Sequence, residues 1–129
     1  MSYLVDTDWV AEFLKGRADA VKFLNSLAPE GLAISLITYG EIYEGIYYGA
    51  DVARHEKGFR AFLRDIDVLP LNRPIMRLFA QIRGQLRAQG NLIADPDILI
   101  AVTAIHHEFI LVTQNTRHFQ RVPGLSLHQ

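Results

Sequence analysis

Tyr3-Leu4-Val5-Asp6-Thr7-Asp8 carries the reading of the fold. Three apolar residues form a run too short for a helix, and the run stops at an acid-hydroxyl-acid triplet rich in helix-capping groups. Trp9, Val10, Phe13 and Leu14 then recur at helical spacing, and Gly16 closes the segment. A buried strand that runs directly into a helix, with a carboxylate at the joint, is the unit from which an open α/β sheet is built.

The rest of the chain repeats that unit. Ala18 to Ala28 reads as a short helix ended by Pro29 and Gly31, and Leu32-Ala33-Ile34-Ser35 as the next strand. A helix is expected from about Thr38, its cap, to Tyr48, and another from Asp51 to about Ile66. Val68-Leu69 is a brief strand. Pro74 to Ala88 is a helix with proline at its start and Gly90 just past its end. Asp95-Pro96-Asp97 opens a helix that is apolar nearly all round through Ile98, Leu99, Ile100, Ala101 and Val102, hence central. Phe109 to Thr113 and Leu125 to Leu127 complete the strands. Short strands, apolar on both faces and alternating with helices, predict an α/β sandwich with a mostly parallel sheet, formed by residues 1–129 as one domain.

Half of the 129 residues are hydrophobic and 21% are charged, with a net charge of −1 and no cysteine. Disulfides, thiolate metal sites and a cysteine nucleophile are excluded. The N-terminus does not read as a signal peptide and no run approaches the ~20 apolar residues of a membrane span, so a cytoplasmic protein is expected. Ten of the thirteen basic residues are arginine, the side chain suited to bidentate contact with phosphate.

The polar residues that matter fall at strand ends. Asp6 ends the first strand, Glu41 lies in the first turn of the helix after the second, Asp95 and Asp97 open the helix before the strand at Phe109, and Asn115 follows that strand. Open α/β sheets bind ligands at the carboxyl ends of their strands, so segments distant in sequence deliver these groups to one edge. Clustered carboxylates repel one another and call for protons or a cation. An all-oxygen donor set favours Mg²⁺ or Mn²⁺, ions suited to phosphoryl chemistry. Each acid also has a plainer reading. Asp6 can cap the first helix, Glu41 can answer the helix dipole, Glu44 reads as structural, and Asp95, just before Pro96, reads as a helix cap. The five histidines have no metal-ligand spacing and read as structural or surface groups. Arg73, Arg77, Arg83 and Arg87 fall within a ~120° sector of the Pro74 helix, opposite Ile75, Leu78, Phe79, Ile82 and Leu86. That stripe is either a solvated face or a contact for RNA phosphates.

Taken in order, Tyr3 to Asp8, Ile34 to Ile42, Asp95 to Ala101, Leu111 to Arg117 and the tail Val122-Pro123-Gly124-Leu125 resemble the PIN-domain ribonucleases, and within them the VapC-type toxins of VapBC toxin–antitoxin pairs. The resemblance spans essentially the whole chain. It implies a PIN-like three-layer α/β/α sandwich and a metal-dependent endoribonuclease, with Asp6, Glu41 and Asp97 at the main acidic positions as Mg²⁺ or Mn²⁺ ligands. It places Asn115 at a fourth position that is often aspartate, and Thr7 beside the first acid. Asparagine at 115 departs from the fully acidic version and leaves a second metal open unless Asp95 contributes. The resemblance further implies an RNA substrate, a small VapB-type antitoxin as partner, and a homodimer. The triplet Asp6-Thr7-Asp8 also resembles that of haloacid-dehalogenase-type phosphatases, with Asp6 as nucleophile. That chemistry, like a receiver-like acidic pocket, wants a lysine late in the chain, and the last lysine is Lys57. A non-catalytic PIN-fold binding protein is the remaining alternative, against which the retention of all three acids counts.

Overall fold

The computed structural model describes residues 2–129. Four strands, β1 (Tyr3–Val5), β2 (Leu32–Ser35), β3 (Asp67–Leu69) and β4 (Ile110–Val112), form one sheet in the order β3-β2-β1-β4. Every pairing is parallel, with Leu4 beside both Ala33 and Leu111. The helices are α1 (Thr7–Leu14), α2 (Ala18–Leu27), α3 (Leu36–Tyr47), α4 (Val52–Phe62), α5 (Arg73–Ala88), α6 (Asp95–His107) and α7 (Thr116–Phe119), with 3-10 turns at Ala28–Glu30 and Leu63–Asp65.

Side chains alternate across the sheet, so each strand feeds two cores. Leu4, Ala33 and Leu111 join Ile75, Ile82 and Leu86 of α5, Ile98 to Ala104 of α6, and Phe119. Val5 and Ile34 face Val10 of α1, Leu24 of α2, Ile42 and Ile46 of α3, and Phe59 of α4. This is the expected three-layer α/β/α sandwich. The nearly all-apolar α6 is central as its sequence predicts, with Ile98, Ile100, Ala101, Val102, Thr103 and Ala104 all buried. The strand order reverses at β1, which has β2 on one side and β4 on the other. The crevice of such a sheet opens at the carboxyl end of that strand, where Asp6 stands.

Several boundaries differ from the sequence reading. α3 is capped by Ser35, whose Oγ accepts from the Thr38 amide at 3.0 Å. The helix therefore starts at Leu36, and Thr38 is buried inside its first turn. Leu125 to Leu127 forms an isolated bridge between Leu127 and Leu111 in place of a strand. The Asp51 helix ends at Phe62, where the 3-10 turn tightens it ahead of β3. The cap of α6 is Ala94, in extended backbone, and Asp95 is already inside the helix. Its carboxylate is held sideways by Arg83 Nε at 2.8 Å. A cap must precede the first helical residue to accept from the amides behind it, so Asp95 does not have the capping role expected of it. No helix among the described residues is long and apolar enough to cross a membrane.

Candidate active site

The parallel register builds the centre of the site. Val5 pairs with Val112, so the next residues, Asp6 and Thr113, meet just beyond the sheet. Asp6 is 6% exposed. Its Oδ2 accepts from Thr113 Oγ1 at 2.7 Å and its Oδ1 from the Thr7 amide at 2.8 Å. Asp6 is thus the N-cap of α1, as the plainer reading expects, and a buried carboxylate at once. Asp8 accepts from the Trp9 amide at 2.7 Å and from the Gln114 amide at 2.9 Å. This second acid of the triplet ties α1 to the loop after β4.

Glu41 is reached through a line of hydroxyls. Thr7 Oγ1 lies 2.6 Å from Glu41 Oε1 and 3.0 Å from Thr38 Oγ1, which is 3.3 Å from Ser35 Oγ. An ionised carboxylate can only accept, so Thr7 donates to Glu41, Thr38 donates to Thr7, and Ser35 donates to Thr38. The proton directions are therefore fixed from the buried end of β2 outward to the exposed carboxylate. Because α3 begins at Leu36, Glu41 sits in its second turn, not its first.

Asp97 lies half-buried in the first turn of α6. His118 Nδ1 is 3.8 Å from Asp97 Oδ2 and 2.8 Å from Asn115 Nδ2. Asn115 therefore reaches the site by way of His118, and its amide donates to Thr113 Oγ1 at 3.0 Å. Asp95 is paired with Arg83 at 2.8 Å.

The electrostatics follow from burial and crowding. Burial first and the Asp8 charge second push the Asp6 carboxyl up to about 6, against the hydrogen bonds from Thr113 and Thr7 that favour its charge; Asp97 adds to the rise. Asp8 is raised chiefly by burial, with Asp97 contributing. Asp97 is raised by burial and partly offset by His118. Asp6, Asp8 and Asp97 thus feel one another's charge. Among the described residues no lysine or arginine is paired with Asp6, Asp8, Glu41 or Asp97. Nor do three His, Cys, Asp or Glu side chains stand close enough to form a ready-made metal cage. The donor set nevertheless suits a hard divalent cation: oxygen atoms, clustered negative charge and, among the described residues, no lysine or arginine within 4.0 Å of it.

The PIN domain family matches residues 3–125 of the chain. The chain belongs to the PIN-domain family. Ribonuclease VapC1 of Methanocaldococcus jannaschii is 33% identical over 124 residues, covering 96% of this chain and 83% of its own. The tRNA(fMet)-specific endonuclease VapC of Shigella flexneri is 30% identical over 125 residues, covering 97% and 95%. The crystal structure of VapBC2 from Rickettsia felis bound to a DNA fragment from their promoter superposes with a TM-score of 0.92 at 26% identity, covering 99% of this chain and 98% of that one.

Three participants in this PIN site escape the sequence reading. Asp8 and Thr113 are visible only once the register of β1 and β4 is known; the signal available was that each lies within three residues of a strand's carboxyl end. His118, expected to be structural or at the surface, instead faces Asp97 and Asn115. Its spacing of three from Asn115 on a short helix was the available clue.

Proposed function

We propose that this PIN domain, acting as one unit over residues 1–129, is a metal-dependent endoribonuclease and the toxin of a toxin–antitoxin pair. The observation that carries the reading is Asp6: a buried carboxylate at the carboxyl end of the central strand, raised to about 6, among other acids and without a protein counter-ion. Asp6, Glu41 and Asp97 would hold Mg²⁺ or Mn²⁺, and Asn115 lies at the fourth position. Bound there, the ion supplies neutralisation of charge building on phosphate oxygens and a more acidic water. The chain's own residues do the positioning. Thr113 and the Thr7 amide fix both oxygens of Asp6, the Ser35-Thr38-Thr7 line fixes Glu41, and His118 stands between Asp97 and Asn115. Family membership and VapC relatives at 30% and 33% identity support RNA as substrate. The likeness to a VapBC complex supports a small VapB-type antitoxin as the partner that silences the site. A homodimer in the cytoplasm completes the reading, consistent with exposed apolar side chains at Leu36, Tyr47, Tyr48 and Val52.

The test is a set of acid variants assayed on RNA. Asp6→Asn, Glu41→Gln and Asp97→Asn should each lower cleavage by at least ~10²-fold, because each removes a ligand charge. Asp95→Asn should lower it only a few-fold, because its exposed pair with Arg83 lies outside the carboxylate group. Full activity in the Asp6 or Asp97 variant would overturn the assignment. The phosphatase reading finds no support: the buried Asp6 has both oxygens engaged and, among the described residues, no lysine paired with it.

A further inference from the structure

The exposed face of α5 carries arginine and no acid. From Val68 to Ala94 there are four arginines and no acid, in a protein whose net charge is −1. Ile75, Ile82 and Leu86 bury the inner face of α5, which turns Arg73, Arg77 and Arg87 outward, all exposed. Among the described residues none of these three has a carboxylate within 4.0 Å. The fourth, Arg83, is half-buried and binds Asp95, two residues before Asp97, so the stripe is joined to the rim of the carboxylate site. Along the axis, Arg73 and Arg77 are about 6 Å apart, as are Arg83 and Arg87. That is close to the separation of successive phosphates in an extended strand.

We propose that Arg73, Arg77 and Arg87 form a track for the phosphate backbone of the substrate RNA beyond the scissile bond. The inference rests on the ribonuclease reading and adds to it the path of the substrate. The carboxylate site repels a polyanion, and the net charge gives no general attraction. Affinity for RNA must therefore come from a local cationic surface. Guanidinium groups left unpaired on one face, ending at the site, supply it. Double-layer contact of this kind raises affinity without touching the reacting atoms.

The experiment compares the full chain with the triple variant Arg73→Gln/Arg77→Gln/Arg87→Gln, with unfractionated tRNA as the probe. Binding is measured over a range of KCl in an Asp6→Asn background, and cleavage in the otherwise unaltered chain. The triple variant should bind at least ~10-fold more weakly near 100 mM salt, and its slope of log affinity against log salt should flatten by about 2–3. KM should rise with kcat within about twofold. Lysine at all three positions should restore most of the slope. Removing Arg17, Lys22 and Arg64 of the other helical layer should change little. An unchanged slope and KM in the triple variant, while the parent binds and cleaves RNA, overturns the track and leaves the ribonuclease reading standing. A variant that loses only a dimer or a protein partner makes the face a protein interface and also overturns it. A parent that neither binds nor cleaves RNA overturns both.

Discussion

Asp6 is an acid whose folded state favours its proton, the reverse of a salt-bridged carboxylate. Its value rises from 3.8 to about 6 on folding, so between those values the folded chain keeps a proton that the unfolded chain releases. Stability from this group is therefore greatest at low pH and is lost as pH rises through that window, with the full cost, on the order of 2–3 kcal/mol, present above it. Asp8 and Asp97 are shifted in the same direction. In the metal-free protein, the melting temperature of Asp6→Asn minus that of the parent should grow from about pH 4 to about pH 6.5 and then level off. A difference that is flat with pH would mean that burial of Asp6 costs nothing. Thr7 allows a separate test at this scale. Its hydroxyl bridges Glu41 and Thr38, so Thr7→Val should lower RNA cleavage by about tenfold with little change in melting temperature, and Thr7→Ser should restore it. Equal activity in the valine variant would show that Glu41 needs no positioning by that hydroxyl.

At the scale of elements, what was legible in the sequence was whatever a local pattern specifies. The apolar run before Asp6, the apolar residues of α6 and the proline-to-glycine frame of α5 fixed most of the strands and helices. With them came the placement of Asp6, Glu41 and Asp97 at one edge of a parallel sheet. What was not legible depended on pairing between segments. Asp6 meets Thr113 only because Val5 and Val112 are in register, and Asp8 meets the Gln114 amide for the same reason. His118 needed the position of α7 against α6. The caps failed by short distances for a physical reason: Ser35 and Thr38 are both good caps and both are buried, and the extended backbone of Ser35 at the end of β2 makes it the cap. Ser35 is fully buried at the end of β2, where its Oγ takes the Thr38 amide and also starts the hydroxyl line to Glu41. Ser35→Ala should therefore destabilise the fold by about 1–2 kcal/mol, as loss of a cap does, and lower cleavage as well. Denaturant unfolding and an RNA assay on the same variant check both; a stability loss with unchanged cleavage would confine Ser35 to capping.

At the scale of the whole molecule, the sheet order brings acids from three segments to one crevice, while three unpaired arginines, Arg73, Arg77 and Arg87, stand on the outer face of α5. The parallel strands and the two cores keep that crevice fixed, and the crowded acids make it a place for a cation. An ion held there would link metal binding to folding, because binding to the folded site would relieve the repulsion that destabilises it. The most direct measurement is RNA cleavage by protein stripped of metal by chelator, with residual metal verified absent, followed by stepwise return of Mg²⁺ or Mn²⁺. The account predicts no cleavage in chelator, recovery on adding either ion, a rise in melting temperature over the same range of concentration, and none of these in Asp6→Asn or Asp97→Asn. Undiminished cleavage in the metal-free protein would contradict it.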